Sequence, residues 1–284
     1  MKVQAVISLK ADHSLSVLLS VAGLARSTFF YHQARLAHPD PDADLKTAIT
    51  QVFTAAKGRY GHRRVHTMLM RDGWRVARKT VLKLMRQLGL VCHVRRRRRF
   101  NSFQGEIGKV APNLLERDFT ATTPNQKWVT DVTEFRIGEL KVYLSPIMDL
   151  FDRSVIAYTC GTSPTVEMTN ASLRAAVGSL PQGQHPMVHS DQGLHYQHAS
   201  WRQILTDAGA IQSMSRRATC LDNAVIESFF GHLKEELFHH ATFASVDAFT
   251  AALHDYIAWY NTDRVSTKLK GLSPVQYRAQ ALAA

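Results

Sequence analysis

Between Lys127 and Gly161 three stretches of strand character follow one another, and this order restricts the fold more than any other feature of the sequence. "KWVTDVTEF" alternates threonine, valine and aromatic residues over a strand length, and "LKVYLSPIMDLF" and "SVIAYTCG" read as two more strands, so a three-stranded meander is expected. Beyond it the pattern alternates. "TVEMTNASLRAAVGSL" is helical, "HPMVHSDQG" is a short buried strand ending in a polar turn, "YQHASWRQILTDAG" is helical again and "IQSMS" is a further short strand. "NAVIESFFGHLKEELF" and "VDAFTAALHDYIAWYN" are two long helices, and "LSPVQY" opens a short one with Ser273 as N-cap and Pro274 at its first position. Strands first, then strands alternating with helices, predict an α/β fold with a mixed sheet and helices on its faces.

The amino-terminal third is different. In "SLSVLLSVAGLARSTFFYHQARL" Leu15, Val17, Leu18, Leu19, Val21 and Leu24 are helix-compatible, Gly23 falls at a tight turn, and Ser27 and Thr28 offer N-caps for a second helix. A second helix-turn-helix candidate begins at "RYGHRRV": Val65, Met68 and Leu69 mark one amphipathic helix, "RDGW" is the turn, and Val81, Leu82, Leu84, Met85 and Leu88 mark the next. This second unit holds the charge. Of a net charge of +12, residues 59–99 carry 14 Lys/Arg against one acid, while residues 100–284 carry 15 against 18. So local an excess is the footprint of a polyanion, most simply nucleic acid. Arg78, Lys79, Lys83 and Arg86 are its exposed helical positions, suited to phosphates or guanine edges in a major groove. The tail Arg95, Arg96, Arg97, Arg98 and Arg99 has no fixed geometry and is expected to grip backbone rather than read bases. "NSFQGEIGKVAPN" then reads as a linker, where the charge excess ends.

Several classes are disfavoured. Lys2, Lys10 and Asp12 interrupt the apolar residues of the amino terminus, and no run approaches the roughly 18 that a membrane span needs, so a cytoplasmic protein is expected. Cys92, Cys160 and Cys220 are odd in number and widely spaced, which fits neither a disulfide framework nor a zinc knuckle. The 14 histidines include no HExxH pair.

Two carboxylates stand out. Asp131 interrupts an otherwise apolar strand, where a buried, unpaired acid is costly and requires a partner, a metal or solvent. Asp191 sits just past the end of another strand, where open α/β sheets place ligand-binding carboxylates. Oxygen donors of this kind suit hard cations such as Mg2+, and a third carboxylate on a nearby helix would complete a two-metal site for phosphoryl transfer. By residue chemistry alone Glu227 is an ordinary solvated helix acid, and Asp222 is the simplest N-cap for its helix.

Spacing changes that reading. Fifty-nine residues separate Asp131 from Asp191, 35 separate Asp191 from Glu227, and Lys234 lies seven positions beyond. Carried in "WVTDVTEF", "HSDQG", "DNAVIESFFGHLKEE" and the ending "YNTDRVSTKLKGLSPVQYR", this order resembles the DDE transposases of the insertion-sequence-three family, in its insertion sequence one-fifty subgroup, over nearly the whole chain. The resemblance implies an RNase H-like catalytic core of the retroviral integrase superfamily, with Asp131, Asp191 and Glu227 as catalytic and metal-holding residues. It implies two Mg2+ ions, with Mn2+ as a substitute, and DNA cleavage and strand transfer by transesterification. It also implies DNA contacts at Lys234, and Asn223, one turn before Glu227 on that face, is a candidate either to orient the site or to touch the DNA substrate.

The expected partners are the element's DNA ends and target DNA, the OrfA product or an OrfAB fusion, and further copies of the chain in a synaptic complex. The chain starts at its own Met1 and shows no heptad seam, so it matches the OrfB portion alone. The expected organisation is a helical region over 1–58, a basic helix-turn-helix domain over 59–99, a linker over 100–124, the catalytic core over 125–240 and a helical extension over 241–284. Two other functions share parts of this pattern: a non-catalytic DNA-binding regulator derived from a transposase, and an RNase H-like nuclease.

Overall fold

A computed structural model of the chain describes residues 2–92, 110–216 and 219–283. Arg95 to Arg99 and the first part of the expected linker lie outside these residues. The chain opens with three helices, α1 (Lys2–Leu9), α2 (Leu15–Ala22) and α3 (Arg26–Ala37), closed around Val6, Leu19 and Phe29. Gly23 ends α2 with φ 62°, the left-handed conformation that glycine adopts at least cost. The N-cap of α3 is Ala25, and Ser27 and Thr28 lie inside the helix instead of capping it, because the turn after Gly23 is so short. α2 has more apolar residues than its core can cover, and Val17 and Val21 face outward.

Three more helices, α4 (Ala43–Ala55), α5 (His62–Arg71) and α6 (Arg78–Gln87), share one core made by Leu45, Ile49, Val65, Leu69, Val81, Leu84 and Met85. The helical unit around the basic pair therefore includes α4, which starts before residue 59. Leu88, expected on the apolar face of α6, is 37% exposed because α6 ends at Gln87.

The sheet begins with β1 (Lys127–Thr130), β2 (Thr133–Ile137), β3 (Leu140–Asp149) and β4 (Val155–Gly161). "KWVTDVTEF" is thus two strands and not one. Both pair antiparallel with β3 in a single register, Thr130 opposite Ile147 and Thr133 opposite Leu144. That register sets Asp131 opposite Pro146, which has no N–H to give a ladder, and the strand breaks there. β4 pairs antiparallel with β3. After α7 (Val166–Gly178) come β5 (Met187–Ser190), the short α8 (Leu194–Gln197), α9 (Ala199–Asp207) and β6 (Ile211–Met214). β5 pairs parallel with β1 and with β6, giving the order β2-β3-β1-β5-β6 with β4 also on β3. Trp128 and Trp201 are fully buried in the core between this sheet and the helices α7 and α9.

α10 (Ala224–Leu233), α11 (Val246–Thr262) and α12 (Pro274–Leu282) cover the other side. Ile226, Phe229, Phe230 and Leu233 of α10 and Phe249, Leu253, Tyr256, Ile257 and Tyr260 of α11 join Val129, Phe135 and Leu144 in one core. Ser273 caps α12 through a capping box with Gln276, and Pro274 holds its first turn. Arg278 of α12 pairs with the buried Asp149 and Asp152 at the β3–β4 turn. Among the described residues no helix is long and apolar enough to cross a membrane. Cys92 and Cys160 are free thiols.

One carboxylate joins the helical unit to the sheet. Glu236, in a single π-helical turn (Lys234–Phe238) that extends α10, accepts from Arg264 at 2.7 and 2.8 Å, from Tyr256 at 2.9 Å and from Arg64 of α5 at 3.2 Å. Its backbone carbonyl accepts from Arg59, whose guanidinium lies 4.5 Å from the Trp259 ring centroid. Arg59 and Arg64 belong to the basic segment by sequence, yet they serve this junction. Burial alone would push the Glu236 carboxyl up, but Arg264, Arg64 and His232 outweigh it and hold it down, from 4.5 to about 2. A depressed carboxyl stabilises the fold above its unfolded pKa, so this contribution is full above pH 4.5 and is lost as the pH falls toward 2. Its size is on the order of 3 kcal/mol. Glu236→Gln, which leaves Arg264 buried and unbalanced, is expected to lower stability at pH 7 by about 3–5 kcal/mol and to flatten the acid limb of stability between pH 4.5 and 2. Thermal melts of both proteins across that range measure it, and equal acid sensitivity would refute the junction.

Candidate active site

The parallel pairing of β1 with β5 matches Lys127 with Met187, Trp128 with Val188 and Val129 with His189. Continued two residues past that last pair, one residue beyond each strand end, the same register sets Asp131 beside Asp191. Two acids that the sequence keeps 59 residues apart therefore stand abreast at the carboxyl ends of neighbouring parallel strands, where backbone pairing stops and side chains reach out of the sheet.

Each carboxylate is oriented by backbone. Asp131 Oδ1 accepts from Val132 N at 2.7 Å, and Asp191 Oδ1 accepts from Gly193 N at 2.9 Å. Gly193 earns its place in "HSDQG", since a Cβ there would stand 2.9 Å from that same oxygen. Burial pushes the Asp131 carboxyl well up, and the negative charges of Asp191 and Glu227 push it further. Asp191 is raised by burial as well, against the Gly193 N–H and His195, which lower it. Acids in this state lack positive charge. The donor set, paired hard oxygens with raised proton affinity, fits a divalent cation.

Glu227 lies half-buried in the first turn of α10. Its charge reaches Asp131, as does the opposing charge of Lys234. The three acids are not drawn into one cage here: among the described residues no three His, Cys, Asp or Glu side chains are gathered around a common ion position. Lys234 is half-buried, with its ammonium 5.4 Å from the Phe135 ring centroid, on the side of α10 that faces Asp131.

Asn223 is placed to orient the site rather than to touch DNA. It is 3% exposed, and its Nδ2 donates to the Thr130 carbonyl at 3.0 Å, so it is turned into the protein and not toward DNA. The bond has a consequence for the site: it fastens the start of α10 to the last residue of β1, next to Asp131. Asp222 does not cap α10. It is buried and accepts from Arg216, Arg117 and Asn113, and those guanidiniums hold its carboxyl well below the usual range even though burial opposes them. Glu235 pairs with His240, and Glu134 pairs with Lys141.

Sequence reasoning passed over several residues that build this site. His189 is buried between the Ser213 and Ser215 hydroxyls at 2.8 and 3.1 Å, and burial lowers its pKa to about 4, so it ties β5 to β6 as a neutral ring. Gln192 Nε2 donates to Ser215 O at 2.9 Å and fixes the turn that carries Asp191. No spacing rule marks such residues. Their position beside Asp191 was the available signal.

On the helical unit, Arg78, Lys79, Lys83 and Arg86 are all exposed, while Val81, Leu84 and Met85 turn inward. One face of α6 is therefore a cationic strip held on a rigid apolar back.

The chain matches three family models: an integrase core domain over residues 121–220, a second integrase core domain over 227–282 and an HTH-like domain over 40–98. It is 45% identical over 272 residues to the Escherichia coli (strain K12) protein named as transposase InsK for insertion sequence element IS150, covering 96% of each chain. A Shigella flexneri transposase for insertion sequence element IS1353 is 41% identical over 280 residues, 98% of this chain and 54% of that one. Transposase InsF for insertion sequence IS3A of Escherichia coli (strain K12) is 32% identical over 279 residues, covering 96% of this chain and 97% of the relative. With this identity running through the helix-turn-helix region and the acid-bearing sheet alike, the chain belongs to the transposases of the IS150 and IS3 insertion sequences, a metal-dependent integrase-core family that catalyses DNA cleavage and strand transfer.

Proposed function

We propose that Asp131, Asp191 and Glu227 are the catalytic acids of this transposase and that they hold Mg2+, with Mn2+ as a substitute. The observation that carries this is the β1–β5 register, which brings Asp131 and Asp191 abreast, together with the Asn223 bond that fastens the helix of Glu227 to the end of β1. Two ions bound there supply activation of the attacking oxygen and neutralisation of the leaving oxygen in phosphoryl transfer. The residues prepare that step. The Val132 and Gly193 amides aim one oxygen of each aspartate, and burial of both acids keeps water from screening the charge they present. Lys234 contacts the terminal DNA phosphate beside the site.

The strip of Arg78, Lys79, Lys83 and Arg86 takes the element's end sequence in a major groove, and the tail Arg95 to Arg99 adds backbone grip. Two ends are joined to target DNA by a multimer of this chain. The chain acts in the bacterial cytoplasm, with an OrfA product or within an OrfAB fusion; the IS1353 relative, of which it covers 54%, is a longer transposase with room for such a part.

Strand transfer with element-end DNA and Mg2+ tests the acids. Asp191→Asn is expected to lose at least about a hundredfold in joining while retaining DNA binding; joining that survives would sink the assignment. Added Mg2+ or Mn2+ should raise the melting temperature of the native chain and not of Asp131→Asn, because an ion that binds only the folded state stabilises it.

Gly193→Ala is expected to cost roughly 10–100-fold in joining, since it displaces the amide that orients Asp191. Near-native activity would show that this oxygen does not matter.

Changing Arg78, Lys79, Lys83 and Arg86 to glutamine should weaken DNA binding and flatten its salt dependence, by about one unit of log–log slope for each phosphate that is no longer neutralised. Filter binding between 50 and 200 mM salt reads it, and an unchanged slope would move the interface elsewhere.

A further inference from the structure

α10 walls a second cavity, on the side turned away from the acids. Ala224, Ser228 and His232 recur at one-turn spacing along it, and together with Val225 they form a face roughly 120° around the helix from Glu227. The cavity encloses about 340 Å³, the lower end of the roughly 300–1,000 Å³ range of small-ligand sites. Its other walls come from Arg153 at the β3–β4 turn and from Arg264, Ser266 and Lys268 in the segment after α11. Among the described residues no aspartate or glutamate lines it. Phe119, Phe229 and Tyr260 give it a flat apolar side.

Arg153 carries the argument. It stands at φ 67°, in the left-handed region that a residue with a Cβ seldom takes, and such strain gathers where a side chain has a task. Its Nη2 donates to Phe119 O at 2.8 Å. Its Nη1 is buried and has no hydrogen-bond partner among the described residues, a costly state for a charged donor. Arg264 is balanced by Glu236, and Asp149 and Asp152, the acids nearest Arg153 in sequence, are held by Arg278. Among the described residues neither Arg153 nor Lys268 forms an ion pair. The charges of Asp149 and Asp152 reach Arg153, but neither acid pairs with it, and Lys268 is exposed. Two cations that form no ion pair among the described residues, beside an aromatic wall and in a space too small for a longer ligand, match an anionic phosphate joined to a flat apolar ring.

We propose that this cavity is a binding site for one nucleotide unit, its phosphate held by the Arg153 guanidinium and Lys268 and its base set against the half-buried Phe119. The same chemistry arises from a free nucleotide or from one nucleotide of a DNA strand. The site uses none of the three acids and no metal, so it stands apart from the proposed catalytic centre.

The test uses the full chain carrying Asp191→Asn, in EDTA, so that failure of the metal-site reading leaves the result untouched. Deoxyadenosine monophosphate is titrated by calorimetry, with deoxyadenosine and inorganic phosphate as separate probes. One-to-one binding of the monophosphate is expected, at least about tenfold tighter than either part alone. Arg153→Gly and Lys268→Glu should each weaken it about tenfold or more. Arg153→Gly relieves the left-handed backbone and Lys268 is exposed, so both variants keep the fold, which circular dichroism and melting confirm.

A short single-stranded oligonucleotide that displaces the monophosphate, and loses that ability in both variants, assigns the site to a DNA strand; failure to displace it assigns the site to free nucleotides. No binding of the monophosphate at millimolar concentration, equal binding in the parent and both variants, or phosphate binding as tightly as the monophosphate would each overturn the proposal.

Discussion

The pairing of β1 with β5 is the constraint on which the rest depends. Parallel strands cannot be joined by a tight turn, so the chain between them must make a long crossover. Here the 56 residues between Thr130 and Met187 supply β2, β3, β4 and α7. Because the pairing is in register, the crossover length fixes which side chains meet at the strand ends. One residue more or less in β5 relative to β1 would turn Asp191 to the opposite face of the sheet from Asp131, since side chains alternate along a strand. The wide separation of the two acids in sequence and their adjacency in space are thus one fact. Val129, Val188 and Trp128 enforce it, all fully buried, because a slipped register would turn each to the opposite covered face, where the packing is built for a different side chain.

The third acid reaches the site by another route. α10 is held to the sheet by Phe229, Phe230 and Leu233 beneath it and at its start by Asn223 on the Thr130 carbonyl. At its far end the helix loosens into a π turn, which brings Glu236 to Arg64, Arg264 and Tyr256. A helix that carries a catalytic acid near one end is therefore tied at the other end to the helical unit with the cationic strip. Tyr60 of that unit reinforces the joint, with its hydroxyl accepting from Val265 N at 2.9 Å. The buried charges are costly to desolvate, and only their mutual pairing with full hydrogen bonding makes them tolerable. What they provide is a fixed relation between the surface that would grip DNA and the helix that would help cut it.

Much of this was legible in the sequence, for identifiable reasons. Asp131 and Asp191 could be found because an acid in or just after an apolar strand violates the local pattern, and a violated pattern marks a site. Glu227 obeys its pattern, so only the spacing shared with a family singled it out. The strand break at Asp131 was hidden because Pro146, which opposes it, lies 15 residues away on another strand. The choice between the two roles open to Asn223 was hidden for a similar reason. Helical spacing put it on the face of Glu227, but a helix face says nothing about whether the neighbour there is solvent or the end of β1. Asp222 reads as a cap because Arg216, just before its helix, stands outside any helical spacing and Arg117 comes from a distant part of the chain, and nothing local marks Glu236 as the partner of Arg64 and Arg264. Long-range ion pairs leave no trace in local periodicity.

These placements give α10 two electrostatic sides. Toward the sheet ends it meets Asp131 and Asp191, acids whose burial and mutual repulsion leave that side short of positive charge. Toward the segment after α11 it meets a cavity lined, among the described residues, by Arg153 and Lys268, which form no ion pair, and by no acid. An isolated helix of ten residues could not keep such opposed environments apart, because water would enter both and screen them. The aromatic floor of Phe229, Phe230 and Tyr260 excludes that water and keeps the two fields distinct across the width of one helix. A polyanion that reaches either side meets charges that the other does not cancel. The arrangement follows from burying one face of α10 deeply while leaving its two flanks to different parts of the chain.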